Sequence, residues 1–186
     1  GQLSLGHAAF FGLGAYTCVL LHLYTGLNPW AGMVVGMVVT SLFGAAISYP
    51  CFRLRGPFFT LATIAFAEVL RILATYFKDF TKGSTGITIP QNMGLANFMF
   101  KEKAPYLYIV LIFALLVFVI SYLIEKSRFG YYLQALREDE DAAESLGINN
   151  TWVKLKAAII SAALTSIGGV FYAQYILFIE PYSEFS

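Results

Sequence analysis

APYLYIVLIFALLVFVISYLI, residues 104–124, holds no charged side chain from end to end. A helix at the surface of a soluble domain keeps one polar face. This stretch is apolar on every face and has about the 20 residues needed to cross a hydrocarbon core roughly 30 Å thick. Backbone amides in lipid must be satisfied within their own segment, so it reads as a membrane-spanning helix.

Four more blocks share its character, at about residues 3–24, 30–50, 57–77 and 157–179. The whole composition agrees: 58% of the 186 residues are hydrophobic and 12% charged, against about 45–50% and about 25% in soluble domains. The expected fold is an all-α polytopic bundle, a single transmembrane domain of about five membrane helices. A cytoplasmic helix is expected within the long connection 125–156. No basic stretch precedes the first block and the sequence opens on Gly1, so it is read as an internal piece of a longer chain. A net charge of +1 implies no nucleic-acid partner.

The connections set the orientation. Placing loops 51–56 and 125–156 in the cytoplasm puts seven basic residues inside and four outside, which favours an inside N-terminus and an outside C-terminus.

Within the blocks, Gly32, Gly36, Thr40, Gly44 and Ser48 place a small residue at every fourth position. On a helix these share one stripe that lets another backbone approach closely. Ordinary helix packing is the favoured reading, over a helix bordering a translocation path. Glu68 and Arg71, three apart in the third block, project from one face and can pair. An ion near mid-membrane costs at least about 2.5–3.5 kcal/mol on insertion scales. The pair therefore either lines the substrate route or locks neighbouring helices. His7 and His22 read as satisfied polar contacts, and Cys18 and Cys51 as small buried residues without metal-type spacing. No phosphate-cradling G-x-x-x-x-G-K-[ST] occurs, so a nucleotide that powers the protein is bound by another subunit.

Residues 125–156 read EKSRFGYYLQALREDEDAAESLGINNTWVKLK. Leu133, Leu136, Ala143 and Leu146 recur near helical spacing. Gly147 suits a helix C-cap, and Asn150 or Thr151 an N-cap for the next helix. The charges from Arg137 to Asp141 read as a solvated charge run or as a docking surface rather than a catalytic site, since no nucleophile–base pair accompanies them.

FGYYLQALREDEDAAESLGI (129–148) resembles the cytoplasmic segment of branched-chain amino-acid ABC transporter permeases, with Tyr131 and Tyr132 where that family commonly has Arg-Ala. GQLSLGHAAFFGLGAY (1–16), RLRGPFF (53–59), TIAFAE (63–68) and GSTGITIP (83–90) resemble other signatures of that family, in the same order. The M-type member of the permease pair is the most similar. The resemblance implies a permease subunit of an ATP-binding-cassette importer for branched-chain, hydrophobic amino acids in the bacterial inner membrane. It implies a second permease subunit, two cytoplasmic ATPases that use the ATP, and an extracytoplasmic amino-acid-binding protein. The chain itself is then a transport subunit with no cofactor and no catalytic site. By position, residues 133–147 supply the coupling helix. Leu133 and Leu136 belong to that coupling helix, Arg137, Glu138, Asp139 and Glu140 lie at or near the ATPase, and Gly147 ends the helix. A urea or short-amide importer is the nearest alternative. An ion-coupled secondary transporter or channel is the rival of a different class, and would more naturally show several intramembrane ionisable residues.

Overall fold

The computed structural model describes residues 6–52, 57–77, 81–83, 86–89 and 104–180. Five helices are long and apolar enough to cross a membrane: α1 (His7–Thr25), α2 (Pro29–Cys51), α3 (Pro57–Tyr76), α4 (Ala104–Lys126) and, after two short helices, α7 (Asn150–Ile176). The short ones are α5 (Arg128–Glu138) and α6 (Glu140–Ser145).

Local chemistry sets the ends. α1 stops at Gly26, whose φ of 67° is left-handed and whose N–H reaches the His22 carbonyl, a conformation glycine adopts at little cost. Asn28 caps α2 through the Trp30 N–H at 3.0 Å, with Pro29 at the first helical position. That slot suits proline because its missing N–H has no partner there anyway. Asn149 caps α7 through the Trp152 N–H at 3.1 Å, one residue before the position the sequence suggests. α7 therefore starts ahead of the apolar block. At 1.5 Å per residue its 27 residues span about 40 Å, so its first two turns extend beyond a core of about 30 Å.

α1, α2 and α7 form the packed centre. Between membrane helices the hydrophobic effect gives little, and small residues at the crossings let backbones touch. The Gly32–Ser48 stripe is the buried face of α2. A Cβ added at Gly36 would lie 3.3 Å from the Gly14 carbonyl oxygen, and one at Gly44 3.0 Å from the Ala162 methyl. At Gly32 the neighbour is Cys18, with Sγ 2.9 Å from such a Cβ. α1 and α7 cross where Gly14 meets Ser166 and Gly169 meets Phe11.

α3 and α4 lie outside this centre. α4 buries only Tyr106 among its residues, against Tyr175 at 5.4 Å between ring centroids. The rest of α4 is an apolar surface fit for lipid or for further membrane helices.

A two-stranded ribbon, absent from the sequence-based expectation, joins the end of α7 to the 86–89 stretch. β1 (Ile87–Thr88) pairs antiparallel with β2 (Phe178–Ile179). Ile87, Ile89 and Ile179 are buried there against α1 residues including Tyr16 and Val19.

Candidate functional site

The start of α1, the end of α2, the start of α3 and the first turns of α7 gather at one end of the bundle, with α5 and α6 laid across them. Ser127 begins the crossing segment. Its hydroxyl donates to the Ile124 carbonyl at 2.6 Å and accepts from the Gly130 N–H at 3.3 Å. Gly130 permits the sharp fold-back, because a Cβ there would lie 2.8 Å from the carbonyl carbon of Glu125.

The expected single helix over 133–147 is instead two helices broken at Asp139. Asp139 is extended (φ −154°, ψ 116°). Its carboxylate accepts from the N–H groups of Asp141 and Ala142, at 2.9 and 3.0 Å. Aspartate competes with the helix for backbone donors and is favoured as an N-cap. It closes one helix and opens the next. Gly147 (φ 85°) ends α6: its N–H reaches the Glu144 carbonyl at 2.9 Å and the Ile148 N–H reaches Ala143 at 3.1 Å. These paired bonds are the Schellman arrangement.

The segment is held to α7 by an apolar seam and a polar tie. Leu136, Ala143 and Val153 are buried together, flanked by Leu133, Phe129 and Ile148. Leu146, expected on the same stripe, is 82% exposed, because α6 ends at Ser145 and Leu146 lies in the turn that caps it. The Lys154 ammonium donates to the Glu140 carboxylate at 2.7 Å. Asn150 Nδ2 donates to the Glu140 carbonyl at 2.8 Å. With its side chain only 12% exposed, Lys154 has little access to water as a substitute partner.

The four charges from 137 to 140 therefore differ in what they can do. Glu140 turns toward α7 and Asp139 is engaged in capping. Arg137 and Glu138 are exposed and have no ion-pair partner among the described residues. Lys154, counted in the sequence only as an inside charge, is the tie that sequence reading missed. Its signal was the acid–base spacing across the Gly147 turn.

Beneath the segment lies a cavity of about 480 Å³. Phe10, Phe52 and Phe59 face it from the bundle, and Leu133, Leu136 and Arg137 from the segment. His7 stands in its wall, with Nε2 2.7 Å from the Ser161 hydroxyl. His22 binds the Leu27 carbonyl through Nδ1 at 2.8 Å. Space between two tied elements gives room for relative movement without breaking a packed core.

Glu68 and Arg71 are far from this segment along the sequence and form a hydrogen-bonded ion pair on α3. Their side chains are 48% and 27% exposed respectively, among apolar neighbours such as Ile64 and Ile72 that are also exposed. Of the sequence-singled residues, Leu133, Leu136, Arg137, Glu138 and Glu140 share the cavity, and the Glu68–Arg71 pair stands apart.

The family model described as branched-chain amino acid transport system / permease component matches residues 1–186. The chain belongs to this family. Two permease proteins named LivM of high-affinity branched-chain amino acid transport systems are similar to it. That of Salmonella typhimurium is 34% identical over 98% of the chain and 48% of the relative, and that of Escherichia coli 33% over the same shares. A nucleoside ABC transporter permease protein, NupC of Lactococcus lactis, is 23% identical over 95% of the chain and 60% of the relative. The chain thus spans about half the length of the LivM proteins it matches. No solved structure matches it. Five membrane-crossing helices in a permease-family chain make it a multi-pass protein of the bacterial inner membrane.

Proposed function

We propose that this permease-family chain is part of the membrane pathway of an ATP-driven importer of branched-chain amino acids. The observation that carries the reading is the two-helix segment tied to α7 at one end of the bundle, in a chain that matches the permease family over residues 1–186. That end is cytoplasmic in this reading. Arg137 and Glu138 offer a partner ATPase a polar contact, and the Leu136–Ala143–Val153 seam with the Glu140–Lys154 tie carries its movement into α7. α7 then moves against α1 and α2 along crossings where small residues meet. Such coupling requires that ATP and substrate prefer different states of the bundle.

The partners proposed are a second permease subunit, two ATPase subunits that bind and hydrolyse the ATP, and an extracytoplasmic amino-acid-binding protein. The chain contributes no ATPase site and no cofactor in this scheme.

Uptake of labelled leucine, urea and adenosine by cells carrying the complete gene, compared with cells lacking it, tests the substrate. Loss of leucine uptake alone is the expected result. Loss of urea or adenosine uptake instead overturns the amino-acid reading and retains the ATP-driven permease. Adenosine is included because the Lactococcus relative is a nucleoside permease.

Glu68 and Arg71 are proposed to support the pathway. An ion pair on an otherwise apolar membrane helix is costly against lipid, so its exposed face fits a polar passage or another subunit. Replacing both (Glu68→Met with Arg71→Leu) is expected to lower uptake at least about tenfold with the protein still in the membrane, a transition-state effect of about 1.4 kcal/mol. Undiminished uptake would make the pair dispensable.

A further inference from the structure

The coupling segment carries its charges on two different sides. A cleft of about 570 Å³ opens between α5 and the first turns of α7. Its charged lining residues are Arg128 and Lys156, and no Asp or Glu lines it. Neither cation has an ion-pair partner among the described residues. Tyr132, Leu146 and Trp152 complete its rim, 44%, 82% and 61% exposed. Glu138, Asp141 and Glu144 of the same segment are absent from the cleft.

Its position relative to the bilayer is set by helix lengths. α7 exceeds the hydrocarbon core by about 10 Å, and its apolar run begins at Ala157. Lys156 and Trp152 therefore stand where hydrocarbon gives way to headgroups. α4 ends at Lys126, whose ammonium lies 5.7 Å from the centre of the Tyr122 ring, and Arg128 comes two residues later. Tryptophan and tyrosine are enriched at that level, and basic pockets between membrane helices on the cytoplasmic side suit anionic headgroups.

We infer that this cleft binds the headgroup of an anionic phospholipid of the inner leaflet, with Arg128 and Lys156 meeting the phosphate and Trp152 beside them at the interface. The inference rests on the cytoplasmic placement of the segment and not on the transported substrate. A lipid held there would fix α5 and the root of α7 at the membrane surface while Arg137 and Glu138, outside the cleft, stay free for protein contact.

The test is lipid binding by the complete protein in its transporter complex, with phosphatidylglycerol or phosphatidylcholine titrated and bound lipid counted by native mass spectrometry. Phosphatidylglycerol is expected to bind the more tightly. Arg128→Gln with Lys156→Gln should weaken it about thirty-fold, about fivefold per cation, and leave phosphatidylcholine unchanged. Either single variant should show the fivefold step if the double one does not assemble. Arg128→Lys with Lys156→Arg should stay within about threefold of the parent, since charge is kept and only fork geometry changes. Equal phosphatidylglycerol binding by the parent and the double Gln variant overturns the inference. Full competition by millimolar inorganic phosphate makes this a free-anion site and also overturns it. So does loss of a co-purifying subunit with lipid binding unchanged, which would mark a protein-docking surface.

Discussion

Lys154→Glu is expected to lower leucine uptake at least about tenfold, equivalent to about 1.4 kcal/mol, with the protein still inserted and assembled. The substitution faces Glu140 with a second carboxylate where a 2.7 Å ion pair had been. Removing one partner of a shielded pair is far more damaging than the pair's net stabilisation suggests, because the remaining charge is left without compensation. Lys154 is well shielded, whereas Glu140 retains 31% exposure, so the repelled carboxylate can swing out to water. The outcome is then a loosened joint rather than an unfolded protein. Restoring the pair in reverse, with Glu140→Lys and Lys154→Glu together, should return most of the uptake. A reversed pair no more active than Lys154→Glu would mean that Lys154 acts through some other contact. Uptake by membrane vesicles, normalised to the amount of assembled complex, reads both variants.

Gly169→Leu is expected to remove the folded protein from the membrane altogether. A Cβ at Gly169 would fall on the Phe11 carbonyl oxygen and lie 2.9 Å from its carbon. Both sides of that contact are helix backbone, so neither can move aside as a flexible side chain could. Overpacking a well-filled site typically costs about 1–3 kcal/mol and more where backbone must shift, a large share of a marginal stability. Gly168→Leu is the matched control, since a Cβ there meets only the Phe11 ring at 3.6 Å. The yield of protein that survives extraction in mild detergent should collapse for the first variant and fall modestly for the second. Equal yields would show that α1 and α7 do not cross at Gly169.

The features legible in the sequence are those with a period or a block length. Residues 104–124 announce a span by being apolar all round, and the spacing from Gly32 to Ser48 marks the buried face of α2. Gly147 was visible because a C-cap glycine comes just after the last apolar residue of its helix. Asp139 was not. Several adjacent charges fit a continuous helix as well as a broken one, and only the capping bonds to Asp141 and Ala142 decide between them. The β1–β2 ribbon was invisible for another reason: two residues carry no alternation, and the partners Ile87 and Ile179 are remote in sequence. The crossing of α1 and α7 left a signal in Gly14 and in the adjacent Gly168 and Gly169. Paired glycines inside a membrane helix point to close backbone approach. Lys154 was legible only as a charge, because the 140–154 tie depends on how the Gly147 turn folds α6 back onto α7.

In the proposed importer the 128–154 region transmits ATPase movement into the bundle. The most direct test is simultaneous measurement of ATP hydrolysed and leucine transported by the reconstituted complete transporter carrying Lys154→Glu. The predicted result is continued hydrolysis with at least about tenfold less leucine moved per ATP. An unchanged ratio, whether both rates persist or both fall together, would contradict transmission through the Glu140–Lys154 tie.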